Sequence, residues 1–283
     1  MRIRKKTTPQ TAAHPLEIPA PRHARRSPAA MCALAIAASV TACGVGSSAH
    51  GQLAQDKQIL ATCDASAPPA SDIQLDGSGS SASKAITEER MAAVEEIVRT
   101  TAICSGRLRV LVFSSSSAAA TTLFDETLAL HGATDNAKLK RVPQLIEGIM
   151  TQIRASYGPA VSGLPGGGSD ITGQYRLAQE WAEQVGGDYR LHLYLLTDGF
   201  ETVGGLNLYK KVLTKQEASE LVDQMAVPML TGASVTVAGL GRVAGSPPPS
   251  RVAEGLVGFY DALCKKSGAA TCLSVTDYAA AGR

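Results

Sequence analysis

The chain has 283 residues, with 27 Lys/Arg against 25 Asp/Glu and an aromatic content of only 4%. Residues 1–42 hold seven of the basic residues and one acid, Glu17, so the rest carries 20 basic and 24 acidic residues and a net charge of −4. That balance forms no basic stripe, which excludes a nucleic-acid-binding surface, and so few aromatics offer no evident interface hot spot.

Arg2, Arg4, Lys5, Lys6, Arg22, Arg25 and Arg26 precede the apolar run "AAMCALAIAASVTAC" at 29–43. The run is shorter than the about 20 residues needed to cross a bilayer, and a basic segment before a short apolar core reads as an export signal. Its end, Val40-Thr41-Ala42-Cys43, resembles the lipobox of bacterial lipoproteins. The resemblance implies a signal peptide over 1–42, a lipid on Cys43 that attaches the chain to a membrane, and an extracytoplasmic location. Residues 43–69 are rich in Gly, Ser, Ala and Pro and predict a flexible tether. Residues 70–283 fit one domain. Four cysteines follow Cys43, namely Cys63, Cys104, Cys264 and Cys272. In an exported chain they predict two disulfides, with three pairings open. None is spaced C-x-x-C and the histidines are scattered, so a zinc site is not expected.

Along the domain, "DIQLD" (72–76) predicts a strand. A helix over 87–104 follows, with Thr87 as its N-cap, then a buried strand over 107–114 and an alternating one over 121–130. The stretch 136–158 is helical in pattern, with Pro143 either bending it or marking its start. An amphipathic helix over 171–186 leads into a central strand over 189–199. A helix over 215–226, a strand over 233–241, a helix over 248–268 that opens on prolines and a strand over 272–277 complete the chain. This alternation predicts an α/β fold with a doubly wound, mostly parallel sheet and helices on both faces. Ligands of such sheets bind at the carboxyl ends of the strands.

Three segments converge on that edge. "DGSGS" places Asp76, Ser78 and Ser80 after the first strand, "LPGGGSDITGQYRLA" (164–178) opens a helix, and "LLTDG" ends a central strand in Asp198. Gly77 and Gly79 are expected to supply unusual backbone angles in the first turn. Two hydroxyls and two carboxylates form an oxygen set suited to Mg²⁺. The glycines of 164–168 lack a following G-K-[ST], which argues against a phosphate loop. Ser81-Ala82-Ser83-Lys84 matches S-x-x-K, but no S-D-N or K-T-G supports it. Gly77-Ser78-Gly79 lacks the spacing of a nucleophile elbow, and His192 alternates into an apolar strand as a core residue would.

The three segments, in this order, resemble the von Willebrand factor A domain and its metal-ion-dependent adhesion site. The family's D-x-S-x-S falls on Asp76, Ser78 and Ser80, and its "TDG" aspartate on Asp198. Its loop ligand falls on Ser169, where threonine is commoner, or on Thr172. The resemblance implies a doubly wound fold over ~70–280 and a bound Mg²⁺ (or Mn²⁺), with an open position for a carboxylate of a protein or other acidic ligand. It implies capture of a ligand rather than catalysis, with the loop 200–215 beside the site bearing on partner choice. In that fold Cys63 and Cys104 meet at the edge opposite the metal, as do Cys264 and Cys272, which selects those two pairings. Two other readings remain. One is the same fold as an envelope scaffold with an unused metal site, and the other is an exported hydrolase using Ser78 or Ser81.

Overall fold

The computed structural model describes residues 45–282, so the expected signal segment 1–42 and the lipid acceptor Cys43 lie outside the described residues. The elements in chain order are α1 (Val45–Thr62), β1 (Pro69–Asp76), α2 (Lys84–Ile103), β2 (Arg107–Phe113), β3 (Thr121–Thr127), α3 (Asp135–Leu139) and α4 (Val142–Ser162). They continue with α5 (Gly173–Val185), β4 (Arg190–Leu196), α6 (Lys215–Asp223), β5 (Ser234–Ala238), α7 (Ser250–Lys266) and β6 (Thr271–Val275). The six strands form one sheet in the order β3-β2-β1-β4-β5-β6, parallel except for β3, which runs antiparallel to β2. The expected doubly wound α/β fold is therefore present. Strand order reverses between β1 and β4, and the crevice beyond their carboxyl ends is where such sheets receive ligands.

The period-2 alternation of the strands divides the core into two layers. Ile73, Leu75, Val110 and Val112 face α2 and α4, where Val94, Val98, Ile146 and Ile153 are fully buried or nearly so. Leu111, Phe113, Leu193 and Val235 face α5, α6 and α7, among Tyr175, Trp181, Phe259 and Leu263. Each such side chain stabilises by about 1.5–3 kcal/mol relative to exposure. The second face of β1 is polar. Asp72 is fully buried and takes a two-pronged ion pair from Arg109, at 2.8 and 2.7 Å. Arg109 also donates to the Leu177 carbonyl and lies 4.7 Å from the Trp181 ring, so β2 grips α5 through a charge.

Several local expectations are corrected. The stretch read as a flexible tether is helical from Val45 to Thr62, and Leu53, Ile59 and Leu60 pack on the α2–α4 layer. Averaged composition hid this: the Gly, Ser and Pro residues cluster at the two ends of the stretch, around a run of helix formers, "LAQDKQILA". The N-cap of α2 is Ser83, whose hydroxyl accepts the Ile86 N–H at 3.1 Å, and Thr87 sits inside the helix. Pro143 marks a start: it is the second residue of α4, where its missing N–H costs nothing. The residues before it form the separate α3, capped by Thr134.

Both expected disulfides are formed, Cys63–Cys104 and Cys264–Cys272, with Cα separations of 5.3 and 5.8 Å. The first closes a span of 41 residues and the second a span of 8. Loop-closure entropy then predicts losses of about 4 kcal/mol for Cys63→Ala/Cys104→Ala and about 2.5 kcal/mol for Cys264→Ala/Cys272→Ala, in that order, in denaturant unfolding. Equal losses would contradict this account.

Candidate metal centre

Asp76 is the last residue of β1 and is fully buried. A buried carboxylate needs donors, and three segments supply them. The Ser78 N–H donates to Oδ1 at 2.9 Å, within the same turn. The Thr197 hydroxyl, just past β4, donates to Oδ2 at 2.7 Å. The Ser169 hydroxyl lies 3.3 Å from each carboxylate oxygen. Ser78 Oγ and Ser80 Oγ are 3.2 Å apart. Ser80 hydrogen-bonds to the Asp198 carboxylate, which also accepts the Phe200 N–H at 3.0 Å. The five residues singled out from sequence therefore meet at one point, beyond the carboxyl ends of β1 and β4.

Of the two candidates in the glycine-rich loop, Ser169 is the one whose hydroxyl reaches Asp76. Thr172 lies at the mouth of α5 and gives its N–H to Glu201 at 2.8 Å. The expected role of Gly77 is corrected, since its φ is not positive. Space is tight there: a Cβ would stand 2.7 Å from Leu164 Cδ1 and 3.3 Å from the Phe113 carbonyl oxygen, so the Leu164 side chain would have to shift. Gly79 has open space around it and no positive φ either.

Sequence reasoning missed four neighbours. Thr197 stood in view beside Asp198. Arg90 interrupts the apolar stripe of α2 four residues after Ile86, and a charge in such a stripe was the available signal. It is fully buried, donates to the Asp76 carbonyl at 2.6 Å and to the Tyr278 hydroxyl at 3.1 Å, and lies 5.2 Å from that ring. Glu201 and Thr202 lie in a loop whose pattern carries no signal. Glu201 is fully buried and accepts three backbone N–H groups, from Ile171, Thr172 and Val203.

The electrostatics are those of a site short of positive charge. Burial, then the neighbouring Asp76 charge, pushes the Asp198 carboxyl up to about 6 against the pull of its hydrogen bonds and of Arg90. Burial likewise pushes Glu201 up to about 7. Among the described residues no three His, Cys, Asp or Glu side chains gather into a metal-holding group, so a cation here would depend on the hydroxyls. Two carboxylates and three hydroxyls are an all-oxygen set that fits a hard divalent ion, and such an ion would relieve the repulsion that raises Asp198.

No protein-family model matches the sequence, and no curated protein matches it. Among solved structures, proximal thread matrix protein 1 from the mussel byssus is 16% identical at a TM-score of 0.41, over 78% of this chain and 46% of that one. Another structure of it, with a zinc-occupied MIDAS motif, gives 17% and 0.41 over the same shares. BatB from Bacteroides thetaiotaomicron, a conserved hypothetical protein, is 14% identical at 0.37, over 75% of this chain and 92% of that one. The chain thus spans less than half the length of the mussel protein. Likenesses this distant carry neither family membership nor function.

A carboxyl raised in the folded state favours the protonated form, so its contribution to stability falls as pH rises from the unfolded value through the folded one. Without metal, the contribution of Asp198 to stability is expected to fall between about pH 4 and pH 6. Asp198→Asn should lose less over that interval. Mg²⁺ should raise the melting temperature more at pH 7.5 than at pH 5, because the cation competes with protons. Each 1 kcal/mol would appear as about 2–4 °C in thermal unfolding.

Proposed function

We propose that the chain is an exported, lipid-anchored binding module of von Willebrand factor A type. In this reading it captures a carboxylate-bearing protein or other acidic ligand through Mg²⁺ or Mn²⁺. The observation that carries the proposal is the convergence of Asp76, Ser78, Ser80, Ser169 and Asp198, from three separated segments, at the switch point of the sheet. These five residues would hold the ion. With hydroxyls as much of its protein shell, the bound ion would keep its electrophilic character and offer a position to an incoming carboxylate oxygen. Ser80 also borders a cleft of about 660 Å³ lined by Phe200, Tyr209, Val243 and Pro247–Pro249. Tyr209 is 66% exposed and packs edge-on against the buried Phe200 at 5.1 Å. An apolar side chain next to the partner's carboxylate would find its contacts there.

Hydrolysis through Ser78 is less well supported. Its hydroxyl is engaged with Ser80, and His192 pairs in register with Ser71, five residues from Asp76 along β1. The scaffold reading makes no use of the metal residues and is separated from the proposal by metal affinity.

Calorimetric titration with Mg²⁺ and Mn²⁺ is expected to show saturable binding to the wild type, abolished by Asp76→Ala. Ser169→Ala should weaken binding about tenfold, or about 1.4 kcal/mol, and Thr172→Ala should leave it nearly unchanged. Absence of binding at millimolar metal would leave the scaffold reading in place. Lipidation is tested separately, by labelling cells with an alkyne-bearing fatty acid: wild-type protein should take up the label and Cys43→Ala should not.

A further inference from the structure

The metal-site reading leaves unexplained why a carboxylate with no exposure stands three residues after Asp198, with its oxygens bonded to backbone N–H groups of two loops. We propose that Glu201, with Thr202 beside it, is a positioning residue that sets the Ser169 hydroxyl against Asp76. The role rests on the metal reading above, and it concerns the loop rather than the ion.

Apart from the Ser169 hydroxyl itself, the loop 164–172 is tied to the sheet at the end of β2. The Asp170 N–H donates to the Ser114 carbonyl at 2.8 Å, and the Ser114 hydroxyl donates to the Pro165 carbonyl at 2.6 Å. Both bonds, with those of the Ser115 hydroxyl to the Pro165 and Gly166 carbonyls, tie the loop to the end of β2, and none of them reaches the side that faces the Asp198 loop. The tie on that side comes from Glu201 and Thr202. Glu201 Oε2 accepts the N–H groups of Ile171 at 2.7 Å and Thr172 at 2.8 Å, the N-cap of α5 and the residue before it. Its Oε1 accepts Val203 at 3.0 Å, closing the loop on itself. Thr202 then brackets Ser169 from both sides: its Oγ1 accepts the Ser169 N–H at 3.0 Å and its own N–H donates to the Ser169 carbonyl at 3.2 Å. The approach is close enough that a Cβ on Gly168 would lie 2.2 Å from Thr202 Oγ1, so the glycine at φ +149° is required by this contact.

A carboxylate suits the task because the three groups bonded to its oxygens are all N–H donors, although the Asp170 charge nearby opposes it. Two N–H groups at the positive end of a helix share one oxygen, and the other oxygen takes a third. A glutamine of the same shape would bring an NH₂ among those donors. One contact would become repulsive and the loop would gain freedom.

The test is a double-mutant cycle between Glu201→Gln and Ser169→Ala in the full chain, read by Mg²⁺ affinity, with native-state amide exchange measured in metal-free protein. Glu201→Gln is expected to weaken Mg²⁺ binding about tenfold in the wild-type background, as loss of an outer partner does. It should weaken binding less than about twofold once Ser169 is alanine, because the two substitutions act on one ligand. Exchange should accelerate at Ser169, Ile171 and Thr172 and stay unchanged in β1 and β4. Losses that add in full would overturn the proposal, since they would mean a general loosening. Thr202→Val removes only the acceptor for the Ser169 N–H, and it must show the same coupling if Glu201→Gln does not fold. A wild type that binds no Mg²⁺ would overturn the metal reading itself. The clamp would then be judged by exchange alone, and unchanged exchange at Ser169–Thr172 would overturn it.

Discussion

A charge removed from water must be met by donors that the fold itself supplies, and the carboxylate of Asp76 sets this condition for the whole upper edge of the sheet. It accepts from its own turn, from the end of β4 and from the loop before α5. Those segments are 121 and 93 residues away in sequence. Satisfying one side chain therefore brings the ends of β1 and β4 together with the glycine-rich loop. The carbonyl of the same residue accepts from Arg90, which draws α2 to the same point.

Charge elsewhere in the interior follows a related pattern in two places, where a buried or half-buried arginine joins separate elements. Arg109 and Asp72 connect β2 and β1 with each other and, through Leu177 and Trp181, with α5. Arg90 connects α2 to Tyr278 in the last turn of the chain. That tyrosine covers Gly239, just past β5, so closely that a Cβ there would stand 2.1 Å from its ring. Apolar packing drives the two layers against the sheet, and non-directional packing alone would tolerate sliding. The buried ion pairs and cation–π contacts fix which turn of α2 and which turn of α5 face the strand ends.

The fold was legible because its strands carry long-period information that survives local noise. "RLRVLVF" reads as a buried strand and "RLHLYLL" as a central one, the alternation of strands and helices makes the sheet mostly parallel, and of the stretch read as helical over 136–158 the main part is α4. The residues of the candidate site were legible as a set of three motifs in order, though any one of them is ordinary in a serine-rich chain. What escaped depends on tertiary contact. Glu201 and Thr202 have meaning only beside a loop some thirty residues earlier. The tight space at position 77 comes from Leu164 and the Phe113 carbonyl, which no turn propensity reports. The helix α1 was hidden by the glycines, serines and prolines that border it, and Ser83 took the cap from Thr87 through a hydrogen bond that either residue could have offered in principle.

The bond between Cys63 and Cys104 has a consequence for load. In a chain held from its N-terminal side and pulled at the far edge of the sheet, tension first unwinds α1. At Cys63 it divides: one branch enters β1 six residues later, and the other crosses the sulfurs into the end of α2. The strand that bears Asp76 is central, hydrogen-bonded along both sides to β2 and β4, so it is loaded in shear across two ladders at once. Peeling from an edge, one bond at a time, is not open to it. The covalent bridge makes the N-terminal helix the yielding part, and the strand end that carries the first serine motif the part that yields last.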